Sequence, residues 1–152
     1  MNDPAAPLPG SDVPSAAPSP RPLQVLIVED SETDAGLVLR ELTQHGYEPA
    51  AQRVTNRADL EAALTRQPWD LVLSDYSLPR FTGLEALKVV TATGLDLPFI
   101  LISGTIGEDL AVHAMKSGAH DYLLKDRLMR LGSAVERELR DAAERQARRR
   151  AE

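Results

Sequence analysis

Four short apolar runs and a weaker fifth, each halted by polar or charged residues and each followed by a helix-spaced segment, constrain this chain more than any other feature. The strong runs are Leu23 to Val28, Trp69 to Ser74, Pro98 to Ile102 and Asp121 to Leu124; the weaker one is Glu48 to Val54. Runs this short, bounded and rich in branched side chains read as strands covered on both faces. Between them, Ala35, Val38, Leu39 and Leu42 follow Ser31 at helical spacing and stop at His45-Gly46, where glycine supplies a left-handed cap. Asn56 opens a second helix carrying Leu60, Ala63 and Leu64, and Gly83 to Thr93 a third with Leu84, Leu87 and Val90. Glu108 to Ser117, with Leu110, Ala111, Ala114 and Met115, is a fourth. Leu128, Leu131, Val135 and Leu139 mark a long fifth helix after Lys125.

Five strands alternating with five helices predict an α/β fold, a doubly wound parallel sheet, because right-handed crossovers place helices on both faces. With 152 residues the chain is about one domain long. Seven of the eleven prolines lie in residues 1–22, among Ala, Ser and Gly, so that segment is expected to be a disordered tail. The body is expected over residues 23–140, with 141–152 extending the last helix. The start Met1-Asn2-Asp3-Pro4 lacks the basic and apolar regions of a signal peptide, and no later run approaches the ~20 apolar residues of a membrane span. With no cysteine there is neither disulfide nor thiolate metal site, and a cytoplasmic soluble protein is expected. A net charge of -6 argues against direct nucleic-acid binding, which needs clustered Lys and Arg; the basic stretch Arg148 to Arg150 is a solvated helix end.

In doubly wound sheets the working residues collect beyond the carboxyl ends of the strands. Those positions hold Glu29 and Asp30 after the first strand, Asp75 after the third, Ser103 after the fourth and Lys125 after the fifth. Singly each has a structural explanation: an aspartate caps a turn, a serine sits in one, a lysine is solvated. Together, three carboxylates on one edge repel one another unless a cation neutralises them. Oxygen ligands in a partly hydrated pocket suit Mg²⁺, which commonly bridges a carboxylate to a phosphate. An aspartate beside that ion is a candidate phosphoryl-accepting nucleophile, and Asp75 is the expected one. The following loop, Tyr76 to Gly83, offers the metal a backbone carbonyl, expected from Ser77, while Lys125 and Ser103 are placed to contact phosphoryl oxygens.

The set Val28-Glu29-Asp30, Leu73-Ser74-Asp75 with Leu78-Pro79 and Gly83, Ile102-Ser103-Gly104 and Tyr122-Leu123-Leu124-Lys125 resembles the motifs of response-regulator receiver domains, in that family's order and over roughly Leu23 to Leu139. The resemblance implies a flavodoxin-like sheet of order 2-1-3-4-5. It makes Asp75 the phosphorylated aspartate of a two-component switch, not an enzyme, with Glu29 and Asp30 as metal-site acids. Lys125 becomes the phosphate-binding lysine, Ser103 the switch hydroxyl and Tyr122 the switch aromatic; packing at a strand end is the structural reading of Tyr122. The implied partners are a histidine kinase or phosphotransfer protein and a downstream protein. These engage the face of the fourth helix, fifth strand and fifth helix, and a phosphorylation-dependent homodimer is a further possibility.

One position departs from the family pattern: Asp126 stands where proline commonly follows the lysine, so a trans bond is expected there, with Asp126 as a cap for the last helix. A flavin-type cofactor binder needs a Ser/Thr/Gly-rich loop where two acids stand here, and a P-loop enzyme needs a Gly-rich Lys-Ser/Thr motif that is absent. An aspartyl-phosphate hydrolase is the alternative enzyme reading, with Ser77 a poor general acid at the position two beyond Asp75. The other alternative is the receiver module of a larger hybrid kinase or effector. A free-standing regulator is favoured, because the apolar spacing after Leu139 weakens to Ala142, Ala143 and Ala147, a poor coiled-coil seam.

Overall fold

The computed structural model describes residues 19–104 and 107–151. The strands are β1 (Arg21–Val28), β2 (Tyr47–Val54), β3 (Leu71–Asp75), β4 (Phe99–Ser103) and β5 (Asp121–Leu124). The helices are α1 (Glu32–Gln44), α2 (Arg57–Arg66), α3 (Gly83–Ala92), α4 (Glu108–Lys116) and α5 (Leu131–Ala151), with a 3-10 segment, Lys125–Arg130, ahead of α5. All pairings are parallel and the sheet order is β2-β1-β3-β4-β5, the flavodoxin-like order. Of the disordered tail expected over residues 1–22, residues 1–18 lie outside the described residues, whereas Arg21 and Pro22 belong to β1, paired to Tyr47 and Glu48.

Alternation along β1 sorts the core, since successive side chains leave a strand on opposite faces. Leu23, Val25 and Ile27 join Val38 and Leu42 of α1 and Leu131 and Val135 of α5. Leu26 and Val28 face the other way, toward Leu60 and Leu64 of α2, Leu87 and Val90 of α3 and Ala114 of α4. Two helices therefore cover one face and three the other, and β1, β3 and β4 are buried between them. At about 1.5–3 kcal/mol for each fully buried large aliphatic side chain, this burial is the main driving force of the fold. β2 pairs only with β1, and that edge position is why Pro49 is tolerated in it.

The caps follow the sequence. Ser31 Oγ accepts from Asp34 N at 3.1 Å, and Asn56 Oδ1 accepts from Asp59 N at 2.8 Å. Thr82 and Glu85 form a reciprocal capping box at the start of α3. Gly46 takes φ 91° just past α1, as expected of a glycine there. Gly83 is required for a different reason: a Cβ on it would lie 2.5 Å from the Asp75 carbonyl oxygen, so only glycine lets α3 start this close to β3.

Three expectations are corrected. Asp126 does not cap α5, because residues 125–130 wind as a 3-10 segment and α5 begins only at Leu131. Leu128 consequently belongs to that segment, although it still packs on the α1/α5 core. Met115 is 46 % exposed rather than on the buried face of α4, which meets the sheet mainly through Ala114. No cis peptide occurs among the described residues, as expected for Lys125-Asp126.

Candidate functional site

The order 2-1-3 makes β1 and β3 neighbours whose chains leave in opposite directions, β1 into α1 on one face and β3 into α3 on the other. That divergence opens a crevice at the carboxyl edge, where such folds place their sites. Val28 is paired with Ser74, so the next residues, Glu29 and Asp75, arrive side by side. Carboxylate oxygens of Glu29, Asp30 and Asp75 lie within 4.8 Å of one another. Glu29 and Asp75 are 4 % and 7 % exposed, whereas Asp30 faces solvent.

Lys125 reaches this group from the end of β5, across β4. Its Nζ lies 3.2 Å from Glu29 Oε1, 3.4 Å from Asp75 Oδ1 and 2.7 Å from Asp34 Oδ2. Burial works against the charge on Lys125, but hydrogen bonds to Asp34 and Glu29 and the charges of Asp75 and Glu29 outweigh it, holding its pKa above the ordinary lysine value. Glu29 shifts in the opposite sense to a paired acid: burial first, then the adjacent Asp75 carboxyl, push its pKa up to about 7, with Lys125 pulling it back. Its Oε2 is buried and accepts no hydrogen bond. A buried carboxylate oxygen without a donor is costly, so the cluster fits a cation, and the all-oxygen donor set suits a hard divalent one.

The remaining expected residues are nearby. Ser103 ends β4, is 1 % exposed and pairs with Leu124, the residue before Lys125. Tyr122 of β5 is half-buried against the α2/α3/α4 core and borders a shallow depression with Ala111, Leu124 and Arg127. Ser77 is exposed in the loop after β3. The cavity beside the acids is lined by Leu37, Val38, Ile102 and Leu128 as well as Asp34 and Lys125, and its volume of about 50 Å³ is far below the roughly 300–1,000 Å³ of organic cofactor sites.

Two residues were not singled out in the sequence. Asp34 makes the shortest contact to Lys125; its signal is an acid in the first turn of the helix that leaves the Glu29-Asp30 loop. Arg53, one residue before the end of β2, donates from Nη1 to the carbonyl oxygens of Glu29 at 3.1 Å and Asp30 at 3.4 Å, fixing the loop that presents both acids. Its signal is a cation at the carboxyl end of the strand neighbouring β1.

The response regulator receiver domain model matches residues 25–136, and the chain belongs to that family. The transcriptional regulatory protein QseB of Haemophilus influenzae is 32 % identical over 103 residues, covering 68 % of this chain and 46 % of that protein. The chemotaxis protein CheY of Thermotoga maritima is 28 % identical over 102 residues, covering 67 % and 84 %. Among solved structures, the signal receiver domain of a protein described as a Luxo repressor, from Vibrio parahaemolyticus, superposes with a TM-score of 0.70 at 26 % identity over 82 % of this chain and 95 % of that one. The chain thus spans less than half of QseB and most of CheY. Two-component receiver domain, a family of phosphoacceptor switches, is the class that fold and sequence define together. Among the described residues no helix is long and apolar enough to cross a membrane.

Proposed function

We propose that the chain is a Mg²⁺-dependent phosphoacceptor switch in which Asp75 takes a phosphoryl group from a histidine kinase, a phosphotransfer protein or a small phosphodonor. The observation that carries the reading is the meeting of Glu29, Asp30 and Asp75 within 4.8 Å, with a buried Glu29 oxygen that lacks a donor and with Lys125 against Asp75. Glu29, Asp30, Asp75 and the Ser77 carbonyl would hold Mg²⁺, which supplies charge neutralisation for an incoming phosphoryl group. Asp75 Oδ attacks phosphorus as a carboxylate, so no general base is needed. Lys125 and Ser103 are the donors for the phosphoryl oxygens, and Ser103 drawn to them is followed by Tyr122.

The output surface on this reading is α4, β5 and α5, and its occupant is a protein: a downstream partner, or a second copy in a phosphorylation-dependent homodimer. We assign the switch body to residues 21–140, because β1 already pairs at Arg21, and treat 141–151 as an extension of α5. The acidic net charge and the lack of a membrane-crossing helix among the described residues support a cytoplasmic protein that binds neither nucleic acid nor membrane directly. Intact-mass measurement after acetyl phosphate tests the reading. One added phosphate that appears with Mg²⁺ and not with EDTA is expected; no gain with Mg²⁺ rejects it.

A further inference from the structure

Lys125 is held by three acids. An ammonium has three N–H donors; two of them go to Glu29 and Asp34 as hydrogen bonds, and Asp75 lies 3.4 Å away as an ion pair. A phosphoryl group on Asp75, with its charge and three acceptor oxygens, competes for the ammonium with the two acids that hold it by hydrogen bonds. Asp75 ceases to be a carboxylate once it carries the phosphoryl group, so the cost of release is decided between Glu29 and Asp34; the Glu29 side chain is only 6 % exposed, and losing the lysine strands its carboxylate away from water. The Asp34 side chain is 37 % exposed and can be rehydrated. It also lies in the first turn of α1, where the helix N-terminus favours a negative charge whether or not a lysine is present. Of the two hydrogen bonds, the shorter, to Asp34, is therefore the less costly to release.

We propose that Asp34 is a positioning residue that parks Lys125 in the unphosphorylated state, and that phosphorylation hands the ammonium from Asp34 to the new phosphoryl group. The proposal rests on the phosphoacceptor reading. With acetyl phosphate, the bond from phosphorus to the bridging oxygen breaks and an Asp75 Oδ to phosphorus bond forms. Acetate leaves with the electron pair, no proton moves, and total charge is unchanged. The resting contact is absent from the product, so it opposes loading: Lys125 must leave Asp34 before it can serve the phosphoryl oxygens. Asp34 thus sets how readily the site loads and how firmly it holds its phosphoryl group, without touching either itself.

Asp34→Asn keeps the shape of the side chain and the backbone N–H that Ser31 caps, while removing the charge that holds Lys125. Glu32→Gln is the control: it removes one charge from the same turn of α1, and Glu32 faces Arg53 instead of Lys125. In the full chain with Mg²⁺, Asp34→Asn is expected to load about fivefold faster and to bind beryllofluoride about fivefold more tightly, the scale of one partly exposed ion pair. Glu32→Gln should change both by less than about twofold. Without Mg²⁺ or ligand, the Lys125 ammonium signal in NMR should shift in Asp34→Asn and stay in place in Glu32→Gln. Wild type that loads normally with Asp34→Asn unchanged overturns the handover alone. An equal gain in Glu32→Gln also overturns it, since general charge repulsion is then sufficient. Wild type that gains no mass overturns the phosphoacceptor reading and the handover with it, while the ammonium signal still decides where Lys125 rests.

Discussion

Glu29 sits at the carboxyl edge of the sheet and Asp96 at the amino edge, in the connection leading into β4, and the two acids are treated in opposite ways. Asp96 is gripped by two guanidinium groups from α5: Arg145 approaches at 3.0 Å and Arg149 also contacts it. Burial works against its charge, yet the two arginines outweigh burial and hold its pKa below the ordinary aspartate value. At the other edge, Glu29, Asp34 and Asp75 share one ammonium, Asp30 adds a fourth carboxyl group, and Glu29 is pushed up to about 7. Asp96 has two guanidinium partners, whereas the four carboxyl groups at the other edge share one ammonium. Where an acid is fully paired it anchors a helix; where several share one cation the fold holds like charges together at a cost to stability, an arrangement that could hold a metal ion.

The sharpest way to break this contrast is Asp75→Asn, which removes the nucleophilic oxygen while keeping size. Phosphorylation should vanish in intact-mass measurements, with the domain still folded by circular dichroism. Labelling at the wild-type level would place the acceptor elsewhere. Next in size, Asp30→Ala should weaken Mg²⁺ binding by at least about tenfold and, by relieving repulsion, raise the melting temperature measured without metal. An unchanged Mg²⁺ titration would remove Asp30 from the site.

A third prediction uses pH. Glu29 has a folded-state pKa raised from its ordinary 4.5 to about 7, so the folded chain binds a proton that the unfolded chain has released. Its contribution to stability is fully present below about pH 4.5 and is lost as pH rises through about 7. Metal-free wild type should therefore lose stability across that window relative to Glu29→Gln, and Mg²⁺ should restore most at the upper end. Parallel profiles for the two proteins would count against the shift. The smallest effect is expected at the Asp96 edge. Arg145→Met should cost about 1 kcal/mol, a few degrees in Tm, because the pair is partly solvent-screened. Mg²⁺-dependent loading of Asp75 should not change, and a loss of loading would show that the two edges are coupled.

Much of this architecture is local chemistry written along the chain. The strand runs, the Ser31 and Asn56 caps and the acids that stop β1 and β3 depend on neighbours a few residues away, so pattern alone located them. Where local pattern met a competing packing demand it misled. Leu128 kept the helical spacing of α5 yet lies in a 3-10 segment, and Met115 kept the spacing of α4 yet faces solvent. The site divides along the same line. Order along the chain, read with the strand-end rule, brought Glu29, Asp30, Asp75, Ser103 and Lys125 to one edge. The sequence did not show that Lys125 would lie closest to Asp34, 91 positions away, or that Arg53 would hold the Glu29-Asp30 loop. Those contacts depend on where α1, β2 and the 3-10 segment converge, which packing on both faces of the sheet decides and no local periodicity encodes.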